Sequence, residues 1–195
     1  ALYDTGAGYC VFNDLAVVSH RLIAEGDASR VLIVDLDVHQ GDGTASLTAG
    51  RDDIFTLSLH AEKNFPVRKA RSSLDVPLAD GTDDDGYLDA LDRHLPRTIA
   101  QFDPDFVLYQ AGVDVHAEDK LGRLALTSQG LLRRDTYVIE AVRSRDLPVA
   151  SSLGGGYGPD PHEVGERHAR SMIACARANA AFARSASDSL HDVIG

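Results

Sequence analysis

Short, nearly continuous apolar runs alternate along the chain with longer segments in which apolar residues recur every three or four positions. The runs favour buried strands, and the segments between them favour amphipathic helices. The predicted strands cover residues 31–34, 54–59, 106–109 and 148–153. Because strands and helices alternate, the pattern indicates a parallel sheet.

The helical segments carry start and stop signals. A first helix can be capped by Asn13 or Asp14 and ends near Gly26. A second is predicted over residues 84–101, where Pro96 is expected to kink or split it. The acidic residues at the start of this second helix are interpreted as a solvated helix beginning rather than a cation site.

Two further helices complete the pattern. One begins at residues 127–128, and the last covers about 162–184. We expect residues 1–184 to form the carboxy-terminal part of a single domain, because 195 residues leave room for one core and no linker is evident. The small polar residues 185–195 are expected to form a flexible tail.

The predicted fold class is therefore α/β, with three layers: a parallel sheet with helices on both faces. In such folds, ligands bind outside the carboxyl ends of the strands. A functional site is consequently expected in the loops that follow the strands.

Composition narrows the functional classes. The chain has 30 Asp and Glu residues against 19 Lys and Arg, a net charge of −11, which disfavours nucleic acid and favours a cationic substrate or peptide. No apolar run is long enough to cross a bilayer and no leader is evident, so we expect a cytoplasmic protein without a membrane partner. Cys10 and Cys175 lie far apart, which favours free thiols.

Metal-ligating side chains follow two of the predicted strands. Residues 35–43 read Asp-Leu-Asp-Val-His-Gln-Gly-Asp-Gly, and extended geometry places Asp35, Asp37 and His39 on one side. Asp114 follows the third strand at the equivalent end. The residues Asp37, His39 and Asp114 could therefore bind one metal ion with an open position for water. The alternative is that they are helix caps and turn formers.

A Gly-Gly-Gly-Tyr segment, residues 154–157, follows the fourth predicted strand. The glycines would let the backbone approach a ligand closely, and the phenol of Tyr157 could donate a hydrogen bond to a polarised carbonyl oxygen. A phosphate-binding loop is the competing interpretation. It lacks the expected Gly-x-Gly-x-x-Gly spacing and the P-loop lysine.

Five ordered motifs resemble those of the histone deacetylase family. They are residues 8–14, 35–43, 57–60, 112–114 with 119–122, and 154–157. Residues 64–66 and 73–76 look most like the class IV branch and bacterial histone deacetylase-like amidohydrolases. The resemblance implies an arginase/deacetylase-like fold whose N-terminal part is missing from this sequence.

The resemblance also implies site roles. Asp37, His39 and Asp114 match the three zinc ligands, and Tyr157 matches the tyrosine that polarises the acyl carbonyl and stabilises the oxyanion. Zinc is the expected metal. Two aspartates and one histidine form a harder ligand set than most zinc sites have, so Fe²⁺ could also occupy the site.

A structural potassium ion is implied behind the zinc ligands. Its side-chain ligands would be Asp35 and Ser58, assisted by the carbonyls of Asp37, His39 and Leu59. Such an ion would hold the carboxylate loop in place and tune the zinc site.

A substrate channel for the acyl-lysine is implied as well. Its residues would be Gly8 and Tyr9 in the wall, Cys10 at the base, Leu121 at the rim, and Gly155 and Gly156.

The family's two adjacent histidines, its general base and an electrostatic partner, would by their spacing precede Ala1. Asp35 and Asp42 match the aspartates that orient them. We therefore expect the chain as given to be inactive. His60 and His116 lie near strand ends and are expected to be structural.

The favoured hypothesis is a zinc-dependent amide hydrolase that removes acetyl or acyl groups from lysine side chains or polyamines. An acetylated lysine peptide or an acetylpolyamine would be its substrate. An arginase-like ureohydrolase with two manganese ions is an alternative, because residues 37–39 resemble its ligand pattern. A non-catalytic, truncated metal-binding remnant is another. The sequence does not indicate an oligomeric state.

Overall fold

A computed structural model describes the backbone of residues 1–194 and the side chains of residues 1–182. The described residues form five strands: β1 (Val31–Asp35), β2 (Ile54–Ala61), β3 (Leu74–Leu78), β4 (Phe106–Ala111) and β5 (Val149–Leu153). The helices are α1 (Asp14–Glu25), α2 (Asp42–Leu47), α3 (Asp84–Phe102), α4 (Ser128–Arg143) and α5 (Pro161–Ile194).

The strands form one sheet in the order β3-β2-β1-β4-β5, and every neighbouring pair is parallel. In the centre of the sheet, Asp35 pairs in register with Ser58 on one side and Gln110 on the other. The carboxyl ends of β1, β2 and β4 therefore lie at the same edge. The residues that the sequence singled out, Asp37, His39 and Asp114, follow β1 and β4 at this edge.

Helices cover both faces of the sheet, as predicted. The larger apolar cluster joins the strands to α3, α4 and α5, through residues such as Leu95, Val138 and Cys175. A smaller cluster joins the strands to α1, with Leu15 packed near Ile33. The three-layer α/β arrangement is thus confirmed.

The helix boundaries follow the capping signals in the sequence. The Asn13 side chain accepts a hydrogen bond from the backbone N–H of Ala16, and Gly26 ends α1 with a φ of 78°. Asp83 caps α3 and Thr127 caps α4 in the same way as Asn13. The acidic segment before α3 is therefore a helix beginning, as interpreted.

Three elements differ from the sequence-based predictions. Helix α2 and strand β3 were not predicted, because α2 is only six residues long and Pro77 interrupts the donor pattern of β3. Pro77 is tolerated because β3 lies at an edge of the sheet. Helix α3 continues through Pro96 without splitting, since Leu95 and Ile99 on either side are both buried in the same core.

The last helix is longer than predicted, with its end at Ile194 instead of Arg184. The flexible tail was predicted for residues 185–195. Their side chains lie outside the described part of the chain, so this stays a prediction. Cys10 and Cys175 are both free thiols, as expected. Among the described residues, no helix has the length and apolar character needed to span a bilayer.

A candidate metal centre at the carboxyl edge of the sheet

Three metal-ligating side chains meet beyond the ends of β1 and β4. One ligand atom from each of Asp37, His39 and Asp114 lies within 4.8 Å of the others. The Nδ1 atom of His39 is 3.0 Å from Oδ1 of Asp37 and 3.0 Å from Oδ2 of Asp114. The structure therefore brings together the three residues that the sequence singled out.

The central strands set this convergence. Asp37 lies two residues beyond β1, and Asp114 lies three residues beyond the neighbouring β4. The backbone N–H of Val38 donates a 2.8 Å hydrogen bond to Oδ1 of Asp114, which joins the two loops directly. The other Asp114 oxygen, Oδ2, is left facing His39.

Further hydrogen bonds fix the orientation of Asp37. Its Oδ1 accepts from the backbone N–H of His39 at 2.9 Å, and its Oδ2 accepts from the N–H of Gly155 at 2.7 Å. The side-chain amide of Gln110 also donates to Oδ2, at 3.2 Å, while its carbonyl oxygen accepts from the N–H of Gly112. Partners of this kind orient a ligand and tune a bound metal.

Two glycines make room for the carboxylates. A β-carbon on Gly155 would lie 1.9 Å from Oδ2 of Asp114 and 2.8 Å from Oδ2 of Asp37. A β-carbon on Gly112 would lie 2.6 Å from the same Asp37 oxygen. The Asp37 and Asp114 side chains occupy the space that a β-carbon would need, so both positions require glycine.

Three carboxyl groups at this edge have shifted pKa values. Burial opposes ionisation of Asp37, but hydrogen bonds and charge from His39 outweigh it and lower the Asp37 pKa to about 2. Burial and the charge of Asp37 raise the pKa of Asp114 to about 8. Burial and the same charge also raise the pKa of Asp35 well above its usual range. Excess buried negative charge of this kind is relieved by a bound cation.

The imidazole of His39 responds to the two carboxylates. Burial would lower its pKa, but hydrogen bonds to Asp114 and Asp37 raise the pKa to about 10. The ring of His39 is therefore held protonated against the two carboxylates. One nitrogen and two carboxylate oxygens are a donor set that fits Zn²⁺.

Tyr157 lies beside this cluster. Its ring centroid is 6.1 Å from that of His39 and 5.5 Å from that of Tyr9. Its backbone N–H donates a 2.5 Å hydrogen bond to Oδ2 of Asp119, and the N–H of Lys120 donates to its carbonyl at 3.3 Å. Burial and the charges of the two cluster aspartates raise the pKa of the phenol above its ordinary value.

A cavity of about 790 Å³ opens above the cluster. Of the predicted channel residues, those that line the cavity are Gly8, Tyr9, Cys10, Leu121 and Gly155. Tyr9 is 86% exposed and Leu121 44% exposed, which places both at the mouth.

Two predicted channel residues have surroundings that differ from the expectation. Cys10 lines the cavity but is exposed, not at a buried base. Gly156 does not line the cavity. A β-carbon on it would contact Val113, Val164 and His168, so it serves the packing of α5 against the sheet.

The residues predicted to hold potassium lie at or just beyond the carboxyl ends of the neighbouring strands β1 and β2. Asp35 and Ser58 are register partners on β1 and β2, and Oδ1 of Asp35 accepts from the N–H of Asp37 at 3.2 Å. The Ser58 hydroxyl lies 3.0 Å from Nδ1 of His60, so that hydroxyl already has one partner. The N–H of Ala61 donates to the Val38 carbonyl, which brings the end of β2 against the loop that carries Asp37 and His39.

The other predicted polar positions are distinct from the cluster. Asp42 begins α2 and lines the cavity, with Oδ1 accepting from the N–H of Gly43 at 2.9 Å. His60 and His116 are buried and hydrogen-bonded to Ser58 and Ser128. Neither lines the cavity.

Sequence reasoning missed four residues that support the site: Gln110, Asp119, Arg134 and Asp135. For Arg134 a signal was present in the sequence. It lies three residues after Leu131 and four before Val138, on the apolar face of α4, where a charged residue is unexpected. Gln110 near the end of β4 and Asp119 in the following loop gave no comparable signal, because polar residues are common at strand ends and in loops.

Comparison with known proteins places these features in a family. Residues 1–173 match a family model described as the histone deacetylase domain. An uncharacterised protein of Picosynechococcus sp. is 48% identical over 163 residues, covering 84% of this chain and 54% of its own length. Histone deacetylase 2 of Arabidopsis thaliana is 32% identical over 157 residues, covering 79% and 41%.

A solved structure of an HDAC homologue complexed with SAHA has a TM-score of 0.78 and 29% identity. The alignment covers 92% of this chain and 49% of that one. The chain thus spans about half the length of the relatives it matches.

Proposed function

This chain belongs to the histone deacetylase family, and we propose that it carries the metal-binding part of an amide-hydrolysing centre. The observation that supports this most directly is the convergence of Asp37, His39 and Asp114 below a cavity that Tyr157 also lines. In the proposed reaction, the acetyl or acyl group is removed from an amine by water.

Asp37, His39 and Asp114 would hold Zn²⁺, and the oxygen-rich set would also accept Fe²⁺. When bound, the metal would polarise the acyl carbonyl and activate a water molecule. Gly155 and Gln110 keep the Asp37 carboxylate oriented by donating to Oδ2. These hydrogen bonds would therefore orient the Asp37 carboxylate for metal binding.

Tyr157 would stabilise the oxyanion that forms when the carbonyl is attacked. The raised pKa keeps the phenol protonated at neutral pH, so its hydroxyl can donate a hydrogen bond to the developing negative charge. Hydrogen bonds from its backbone to the loop of Asp119 fix its position.

Proton transfer is not assigned to a described residue of this chain. Among the described residues that line the cavity, His39 is the one histidine, and its Nδ1 faces the carboxylates. Asp35 and Asp42 line the cavity and are proposed to orient the family's histidine pair. We accordingly expect residues 1–195 alone to show no turnover.

A potassium ion is proposed at Asp35 and Ser58, with carbonyls of Asp37, His39 and Leu59. The register pairing of the two side chains supports it. The ion would offset the buried negative charge that raises the pKa of Asp35.

The proposed substrates are acetylated lysine peptides or acetylated polyamines in the cytoplasm. The net charge of −11 favours cationic molecules of this kind over nucleic acid. The apolar residues at the cavity mouth, such as Tyr9, Phe65 and Leu121, suit an aliphatic chain. Within the described residues, Asp37, His39 and Asp114 form the single metal-ligating group, which favours one metal over the two of an arginase-like centre.

The test is hydrolysis of an acetyl-lysine peptide and an acetylpolyamine by the protein as its gene encodes it, after metal removal and after reloading with Zn²⁺ or Fe²⁺. We expect turnover only with metal, and none for Asp37→Ala. Asp52→Ala, at an exposed position, is the matched control and should retain full activity. Turnover that survives chelation, or a metal-loaded protein without any turnover, would contradict the proposal.

A further inference from the structure

A fully buried arginine lies beneath the two ligand loops. Arg134 of α4 is 0% exposed, and its Nη1 donates a 2.6 Å hydrogen bond to the carbonyl of Gly112 and a 3.3 Å one to that of Leu36. Leu36 directly precedes Asp37, and Gly112 lies two residues before Asp114. A single nitrogen atom therefore contacts the backbone of both loops.

We propose that Arg134 is a positioning residue that holds the Asp37 and Asp114 loops at the separation the metal centre requires. This inference rests on the proposed function, because it assumes that the two aspartates share one metal ion. Arg134 does not line the cavity, and the two carbonyls are its direct contacts with the loops of Asp37 and Asp114.

The guanidinium is itself held rigidly. Its Nε donates to Oδ1 of Asp135 at 2.9 Å, and its Nη2 lies 2.8 Å from the same oxygen. The hydroxyl of Tyr109, on β4, also donates to this oxygen, at 2.5 Å. Asp135 and Tyr109 are both fully buried. Arg134 is thus anchored to its own helix and to the central sheet before it reaches the loops.

One of the two loop carbonyls has an additional donor. The hydroxyl of Tyr87, on α3, lies 3.4 Å from the Leu36 carbonyl oxygen. The backbone just before Asp37 is therefore fixed from both α3 and α4. On the other side of the same loop, the N–H of Leu36 donates to the carbonyl of Gln110.

Stability alone explains this arrangement poorly. Taking a guanidinium and a carboxylate out of water costs several kcal/mol per ion, and well-packed apolar residues often replace a buried ion pair without loss of stability. What an apolar residue cannot supply is a donor shared by two carbonyl oxygens. The planar, permanently charged guanidinium can supply it while its Nε remains hydrogen-bonded to Asp135.

Loss of this donor should change metal binding. The Asp37 and Asp114 oxygens meet at His39, so a shift of either loop alters the distances at the centre. Removing a residue that orients metal ligands typically weakens metal binding about 10- to 100-fold. Arg134→Met is the direct test, and Arg134→Lys keeps the charge but loses the planar fork.

The double variant Arg134→Met/Asp135→Leu separates positioning from folding. It removes both buried charges, so it should fold even if Arg134→Met alone does not. Thermal unfolding would report the fold, titration with Zn²⁺ the affinity, and the visible spectrum of the Co²⁺-loaded protein the ligand geometry. We expect the double variant to recover its unfolding temperature while Zn²⁺ affinity stays about 10-fold or more below that of wild type. Its Co²⁺ spectrum should also be altered.

The control is Arg30→Met. The Arg30 guanidinium likewise donates to a backbone carbonyl, that of Phe102, but at the opposite edge of the sheet. The Arg30→Met variant should leave Zn²⁺ affinity and the Co²⁺ spectrum unchanged. A double variant with wild-type affinity and spectrum would overturn the positioning role and leave the proposed function intact. A wild-type protein that binds no Zn²⁺ would overturn both.

Discussion

The backbone N–H of Gly155 donates a 2.7 Å hydrogen bond to Oδ2 of Asp37. This contact joins the loop after β5 to the loop after β1. Together with Asp114, which follows β4, the loops after three strands contribute to one centre. The same glycine approaches Asp114 so closely that a β-carbon would lie 1.9 Å from its Oδ2. The centre therefore depends on the absence of a side chain at position 155.

Gly155→Ala should disrupt the centre. The added methyl group must displace the Asp114 or Asp37 carboxylate, and such overpacking typically destabilises a fold by about 1–3 kcal/mol. We expect a lower unfolding temperature and loss of tight Zn²⁺ binding, measured by thermal denaturation and by titration. Gly165→Ala, on α5 where a β-carbon meets open space, is the control. It should be neutral or slightly stabilising. Equal behaviour of the two variants would contradict the close approach.

Tyr157→Phe should retain metal but lose most turnover in the active protein. It removes only the hydroxyl proposed to meet the oxyanion, and loss of one such donor typically costs about 100- to 1,000-fold in kcat. Steady-state kinetics on an acetyl-lysine peptide would measure the effect. Tyr137→Phe, which removes a surface hydroxyl bound to Asp92, should leave kcat unchanged. A change of less than about threefold for Tyr157→Phe would mean that this tyrosine is structural.

Asp119→Ala should reduce turnover without releasing the metal. The Asp119 carboxylate accepts from the N–H groups of Leu121, Gly122 and Tyr157, and so ties the cavity rim to the loop of the proposed oxyanion donor. Leaving such groups without partners costs about 1–3 kcal/mol, and we expect kcat to fall about tenfold. Asp80→Ala, which removes a surface ion pair with Arg123, is the control. Loss of Zn²⁺ from the Asp119 variant would place its role at the metal instead.

Metal affinity should rise with pH. Burial acts to lower the pKa of His39, but Asp114 and Asp37 raise it to about 10, so its ring carries a proton at neutral pH in the metal-free protein. A metal ion that binds Nδ1 must displace that proton. We therefore expect Zn²⁺ affinity to increase by up to about tenfold per pH unit between the pKa values of Asp114 and His39, and more steeply below about pH 8, where Asp114 must also lose a proton. Calorimetry in buffers of different ionisation enthalpy should detect the released proton, and an affinity independent of pH would contradict this electrostatic description.

Local signals predicted most of the fold. The apolar run at β1 and the caps at Asn13 and Thr127 each depend on a few neighbouring residues, so they can be read without tertiary information. Strand β3 and the unbroken helix at Pro96 could not be predicted in this way. Both depend on packing, since one requires a sheet edge and the other a core that holds two helix segments in line.

The candidate site, too, could be predicted only in part. Parallel strand ends face one way, so the convergence of Asp37 and Asp114 follows from the order of motifs. The glycine-rich segment after β5 suggested that Tyr157 donates a hydrogen bond to a polarised carbonyl, and the resemblance implied that it stabilises the oxyanion. The contact of Arg134 with two loop carbonyls depends on how α4 lies across the sheet, and the exposed position of Cys10 depends on how little covers it. Neither feature can be predicted from the spacing of residues in the sequence.

The most direct test of the central claim is the metal stoichiometry and the ligand atoms of the zinc-loaded protein, measured by elemental analysis and X-ray absorption. The account predicts one Zn²⁺ per chain, coordinated by nitrogen and oxygen without sulfur, and lost in Asp114→Ala but retained in Asp52→Ala. Two metal ions per chain, a sulfur ligand, or stoichiometric Zn²⁺ in the Asp114 variant would contradict it.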